Sequence, residues 1–169
     1  DFKSEGDLIY LVGTARNDVN SSEYLYSYRK VKGSPAPYMD LDEEHAFQQQ
    51  ILSLITDKAV QSVHDVSDGG LFVTVLESAM PKGFGFEIET DEEIRKDAFL
   101  FGESQSRAVV SVSPANQEAF VESMTASGLD FTLLGNVTSA DRMMVDGEDL
   151  GAVSAASRKY NSVLADKMS

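Results

Sequence analysis

Apolar positions in this chain switch repeatedly between the spacing of a strand and that of a helix. Leu8-Ile9-Tyr10-Leu11-Val12 is an unbroken β-favouring run between Asp7 and Gly13 and predicts a buried strand. A short helix capped by Asn20-Ser21-Ser22 is expected to hold Tyr24, Leu25 and Tyr28, followed by a loop at Gly33-Ser34-Pro35-Ala36-Pro37. From Asp42 onward, Phe47, Ile51, Leu54 and Ile55 fall on one helical stripe, with Glu43, Glu44 and the glutamines at 48–50 on the wetter face. A strand at 62–66 leads into Ser67-Asp68-Gly69-Gly70. Beyond that turn, Leu71, Phe72, Val75, Leu76, Ala79 and Met80 make a helical face wide enough to cover a sheet.

Pro81 and Gly83 stop this helix, and residues 84–89 alternate with the period of a half-buried strand. An acidic helical turn is predicted at 91–96 and a strand at 108–112. Pro114 opens a helix that carries Phe120 and Met124 and ends at Gly128. A strand at 131–134 is expected to form a hairpin with 143–145. The last helix, across 152–169, would carry Val153, Ala156, Tyr160, Val163 and Leu164. Strands and helices interleave without a strict βαβ rhythm or a solenoid repeat, so the predicted class is α+β, a mixed β-sheet covered by helices. Residues 1–169 read as one domain, with 1–6 as a linker.

Charge narrows the partners. Against 14 Lys and Arg stand 28 Asp and Glu, a formal net charge of −14, which opposes sequence-independent nucleic-acid binding. A phosphorylated metabolite is still admissible, because a few N–H groups and one arginine bind phosphate locally. The absence of cysteine excludes thiolate catalysis and Cys-ligated zinc. Apolar runs are far shorter than the roughly 20 residues of a membrane span. No signal peptide pattern opens the chain, so a cytoplasmic protein is expected, read here as a piece of a longer polypeptide.

Two polar segments interrupt the core pattern. The first, His64-Asp65-Val66-Ser67-Asp68-Gly69-Gly70-Leu71, lies where a strand meets a helix. There Ser67, Gly69 and Gly70 could cradle a phosphate, and Asp65 and Asp68 could hold a hard cation through oxygen. Alternatively, Asp68 is an N-cap and the glycines shape a tight turn. In the second, Gly102-Glu103-Ser104-Gln105-Ser106-Arg107, Glu103, Ser104 and Gln105 offer carboxylate, hydroxyl and amide. Arg107 offers a bidentate phosphate contact, or else an ion pair with Glu103 at an exposed strand end. Both segments begin elements, so they are expected to meet at one rim of the sheet. His64 reads more simply as a strand residue and His45 as a surface one; no nucleophile constellation accompanies either.

Set in order, these two segments, with Gly83-Phe84-Gly85 between them and Gly33-Ser34-Pro35-Ala36-Pro37-Tyr38-Met39-Asp40-Leu41 upstream, resemble a known family. The match is to the second C-terminal half-domain of phosphoribosylformylglycinamidine synthase, within the superfamily related to aminoimidazole ribonucleotide synthetase. It runs over most of the chain. The resemblance implies a fold like that synthetase's C-terminal domain. It also implies a part in the ligase reaction of de novo purine synthesis, in which formylglycinamide ribonucleotide, ATP and glutamine-derived ammonia give formylglycinamidine ribonucleotide, ADP and phosphate. The implied cofactors are ATP and Mg²⁺. The implied partners are an N-terminal half, a first homologous copy and a glutaminase subunit or domain. In the family the substrate-binding Glu-Ser-Gln run belongs to the first copy, so here Glu103, Ser104 and Gln105 could instead line an auxiliary nucleotide site. A structural half-domain or a kinase-like superfamily member are the alternatives. Surfaces meant for the absent halves should leave apolar residues exposed and favour self-association.

Overall fold

The computed structural model describes residues 1–168; within its last helix the side chains at 164–166 lie outside the description. The run at 8–12 is strand β1 (Leu8–Val12), and residues 9–12 are buried on both of its faces, as an unbroken apolar strand should be. Around it lie β2 (Ser62–Asp65), β3 (Gly85–Ile88), β4 (Ala108–Val112), β5 (Phe131–Thr138), β6 (Met143–Val145) and β7 (Glu148–Asp149), in the spatial order β2-β4-β1-β5-β3-β6-β7. All neighbours are antiparallel except β3 and β6, which are parallel. The helices are α1 (Leu41–Thr56), α2 (Gly70–Ala79), α3 (Lys96–Phe101), α4 (Gln117–Ser127) and α5 (Val153–Met168), with a π-helical turn at Tyr24–Tyr28.

The pleat of β1 sorts the core into two layers. Ile9 and Leu11 meet Leu71 and Val75 of α2 and Phe99 of α3 on one side of the sheet. Tyr10 and Val12 meet Leu54 of α1 and Phe120 and Met124 of α4 on the other. Phe120 stacks tilted on Tyr10 at 4.7 Å and edge-on to Phe131 at 6.0 Å between ring centres. Each such side chain, withdrawn fully from water, contributes about 1.5–3 kcal/mol. The expected mixed sheet covered by helices is therefore the observed architecture. No helix among the described residues is long and apolar enough to cross a membrane.

The structure departs from the expected elements in five places. Segment 1–6 is not a free linker, because Phe2 is fully buried and its N–H donates to Ser78 O at 2.8 Å. The acidic stretch 91–95 does not form the helix; α3 starts at Lys96, where Ala98, Phe99 and Leu100 supply the apolar contacts that the acids lack. Residues 143–145 do not pair with β5, since β3 lies between them, and the antiparallel partner of β6 is β7. On α1, Leu54 is buried but Ile55 is exposed. On α5, Val153 is buried, Tyr160 and Val163 are exposed, and the side chain of Leu164 falls outside the described residues.

Candidate functional site

The two polar segments meet, as their positions at element starts predicted. Antiparallel pairing of β2 with β4 sets Asp65 opposite Ala108, and the Val66 N–H then donates to Arg107 O at 3.0 Å, so both segments leave the same end of the sheet. Beyond Val66 the chain turns sharply through Gly69 (φ +88°) and Gly70 (φ +70°), conformations that L side chains rarely adopt. A Cβ at Gly70 would lie 2.7 Å from the Phe101 backbone and the Gly102 carbonyl. That glycine lets the start of α2 press against the end of α3, which directly precedes the second motif.

Glu103 locks the junction. Its Oε1 accepts from Gly69 N–H at 2.8 Å and from Glu23 N–H at 2.9 Å, joining three stretches of chain through one carboxylate. It thereby supplies the N-terminal capping that Asp68 was expected to provide; the N-cap of α2 is Gly69, with no side-chain cap of its own. The Gly70 N–H donates to Ser67 O at 2.9 Å. Both glycine N–H groups that could cradle a phosphate are therefore engaged within the protein.

Arg107 does not form the expected exposed ion pair with Glu103. It is only 3% exposed, and its Nε and Nη2 donate to Ser104 O at 3.0 Å and Gly102 O at 2.7 Å. Burial, with help from nearby Arg16, lowers its pKa to about 10, against the pull of Asp18 and Glu103. It remains cationic at neutral pH and fixes the loop from inside. Ser104 is buried with an Oγ that has no hydrogen-bond partner, whereas Gln105 is exposed. Ser106, at φ +60°, donates to Glu44 Oε2 at 2.5 Å.

Between the segments lies a cleft of about 340 Å³, lined by Asp65, Ser67, Asp68, Glu103, Gln105, Ser106 and Arg107. Ser104 is not on its wall. Ser21, Pro37, Glu44 and Phe47 complete it, residues that sequence reasoning did not place there. Their only sequence signal is indirect. Asp40 caps α1 by accepting from the N–H groups of Asp42 and Glu43, and this aims the first turn of α1 at the loop. Arg16 reinforces that entry, donating to Glu43 at 2.8 Å and lying 3.9 Å over the Tyr38 ring.

The donors do not make a closed metal cage. The Asp65 side chain is 82% exposed, and among the described residues no group of three or more His, Asp or Glu side chains could hold an ion. Asp65 and Asp68 both line the cleft. His64 is accounted for structurally: Nδ1 lies 2.9 Å from Asp65 O and Nε2 lies 3.3 Å from Glu77 Oε2. His45 is exposed.

Comparison with known proteins follows this geometry. The family described as AIR synthase related protein, C-terminal domain, matches residues 4–148. The phosphoribosylformylglycinamidine synthase subunit PurL of Alkaliphilus metalliredigens is 37% identical over 147 residues, 86% of this chain but 20% of that relative's length. The chain thus spans about a fifth of the relative it matches. Solved structures of Thermotoga maritima PurL complexed with FGAR and with ATP superpose with TM-scores of 0.71 and 0.69, at 16% and 17% identity. Each covers 92% of this chain, and the chain covers 28% and 26% of theirs. At that identity they show a shared fold.

Proposed function

Because the chain belongs to the family of AIR synthase related proteins, C-terminal domain, we propose that it is the second C-terminal half-domain of a phosphoribosylformylglycinamidine synthase. Its cleft then faces the phosphorylated ligands of that ligase. One observation carries the reading: two separate polar segments form the walls of one cleft, and the Glu103 carboxylate ties them together at 2.8 Å from Gly69 N. The 37% identity to the Alkaliphilus subunit supports the same assignment.

In this reading ATP supplies the driving force for replacing an amide oxygen by ammonia-derived nitrogen, releasing ADP and phosphate. The chain's own groups bind and orient. Ser67 and Ser106 offer hydroxyls and Gln105 an exposed amide toward a phosphate or ribose. Glu103 and Arg107 keep the loops in place, and Asp65 and Asp68 would be the residues to hold Mg²⁺, which would supply charge neutralisation for a ligand's phosphates. Ammonia comes from a glutaminase subunit or domain. An N-terminal half and a first homologous copy complete the enzyme, in the cytoplasm.

The test exchanges this chain for the matching segment of the Alkaliphilus relative and follows ADP release. We expect release that requires both formylglycinamide ribonucleotide and ammonia, and that falls at least tenfold in Gln105→Ala combined with Ser106→Ala. A folded chimera with no substrate-dependent release rejects the assignment. The prior engagement of Glu103, Arg107 and both glycine N–H groups inside the protein favours a second reading, a structural or auxiliary nucleotide half-domain. Under it the chimera turns over and the double variant is indistinguishable from the unsubstituted chimera.

A further inference from the structure

The chain holds two Asp-Gly pairs, Asp68–Gly69 and Asp146–Gly147, and the fold restrains them at opposite ends of the same reaction. Asp-Gly is prone to ring closure, because glycine has no side chain to keep the aspartate carboxyl away from the following backbone nitrogen. That nitrogen bonds to the aspartate Cγ while the Cγ–OH bond breaks, and the hydroxyl leaves with the N–H proton as water. Water then adds to the α-carbonyl carbon and breaks its bond to nitrogen. The main chain afterwards runs through Cβ and Cγ, as isoaspartate. No net mass changes, and water is the only reagent.

At Asp146–Gly147 the electrophile is tied down. The Asp146 carboxylate accepts from Thr90 N–H at 2.7 Å and from Thr90 Oγ at 3.0 Å, and it meets Lys96 Nζ at 2.7 Å. Asp68–Gly69 is the reverse case. Asp68 is exposed, and among the described residues no hydrogen bond or ion pair reaches its carboxylate, which is free to turn toward the Gly69 nitrogen. Here the nucleophile is held instead, because Gly69 N–H donates to Glu103 Oε1 at 2.8 Å. The same oxygen accepts from Glu23 N–H at 2.9 Å, so it is fixed from a second side. Attack requires the amide nitrogen to shed its proton and gain electron density toward Cγ, and a carboxylate this close opposes negative charge there. Carboxylates are also far too weak as bases to remove an amide proton.

We propose that Asp68–Gly69 is a latent isomerisation site, kept from reacting by the Glu103 carboxylate on its nucleophilic N–H. Reaction there lengthens the main chain by one methylene between Ser67, on the cleft wall, and Gly69, the N-cap of α2. The proposal does not depend on what the cleft binds.

The 169-residue chain, incubated at neutral pH and then digested with trypsin, tests it. Fragmentation that distinguishes aspartate from isoaspartate follows peptides 59–82 and 143–158, neither of which contains asparagine. Asp68 should isomerise at least tenfold more slowly in the folded chain than in the chain unfolded by urea. Glu103→Ala should speed Asp68 at least fivefold in the folded chain and Asp146 less than twofold. Glu103→Gln, which keeps an acceptor oxygen but no charge, should fall between the parent and the alanine variant. Circular dichroism checks the fold; where the alanine variant does not fold, Glu103→Gln decides, by a rise at Asp68 of at least twofold. An equal rate at Asp68 in folded and unfolded parent chains overturns the proposal. So does a rate at Asp68 that is unchanged or lower in the folded variant. A rise shared equally by Asp146 overturns it too, because general loosening and not the loss of Glu103 would then be the cause.

Discussion

Arg107 shows how a residue's role follows from what surrounds its charge. Its guanidinium satisfies two carbonyls, Gly102 O and Ser104 O, that no other side chain among the described residues reaches. Truncation to alanine leaves those acceptors buried and opens a void, a loss of roughly 2–4 kcal/mol. At about 2–4 °C per kcal/mol for a chain of this size, the melting temperature of Arg107→Ala should fall by about 4–16 °C. Arg107→Lys keeps one charged donor and should fall between the two. A shift under about 2 °C in Arg107→Ala would show that the contacts do not hold the loop. Asp7 presents the opposite case, an acid buried beside the core whose pKa burial raises, with the Ser4 N–H opposing. A carboxyl raised in the folded state penalises folding while ionised, and the penalty disappears as pH falls through that raised value. Asp7→Asn should therefore be more stable than the parent at pH 7 and equal to it near pH 3, by urea unfolding at both pH values.

At the scale of elements, the junction of α2 with α3 rests on Gly70. A methyl group there meets backbone at 2.7 Å in a left-handed conformation, and neither the Phe101 carbon nor the Gly102 oxygen can swing aside. Strain plus overpacking puts Gly70→Ala at about 2–4 kcal/mol less stable, visible as a lower urea midpoint with an unchanged slope. Gly83→Ala, also at positive φ but with nothing within 4 Å, should lose only the conformational part, about 1–2 kcal/mol. The same elements mark where sequence reading succeeds. The stripes of α2 and α4 and the apolar runs of β1 and β4 are local patterns, and they were legible. The meeting of the two polar segments was legible too, since each begins an element. What failed was set by distant partners. Glu103 accepts from Gly69, the N-cap of α2, 34 residues before it, and nothing near Gly69 announces this. The expected hairpin at 138–143 gave way to parallel pairing of β6 with β3, and Phe2 joins a core cluster built from distant residues while its N–H bonds Ser78 O.

For the whole molecule, two features oppose each other across the surface. A net charge of −14 repels copies of the chain from one another. Yet Tyr26, Tyr28, Tyr38, Met39 and Leu41, all from one stretch of sequence, are about half exposed or more. Of these, Tyr38 and Met39 lie in sequence between Pro37, which lines the cleft, and Leu41, which opens the first turn of α1. Salt decides between them, because it shortens the Debye length from roughly 30 Å at 0.01 M to about 3 Å at 1 M and leaves apolar attraction intact. In sedimentation at pH 7 the chain should be monomeric at 0.01 M salt and shift reversibly toward dimers as salt rises to 1 M. Leu41→Ser with Met39→Ser should suppress that shift without altering the far-ultraviolet spectrum. Dimers that dissociate on adding salt would mean that charge, and not this apolar stretch, draws the copies together.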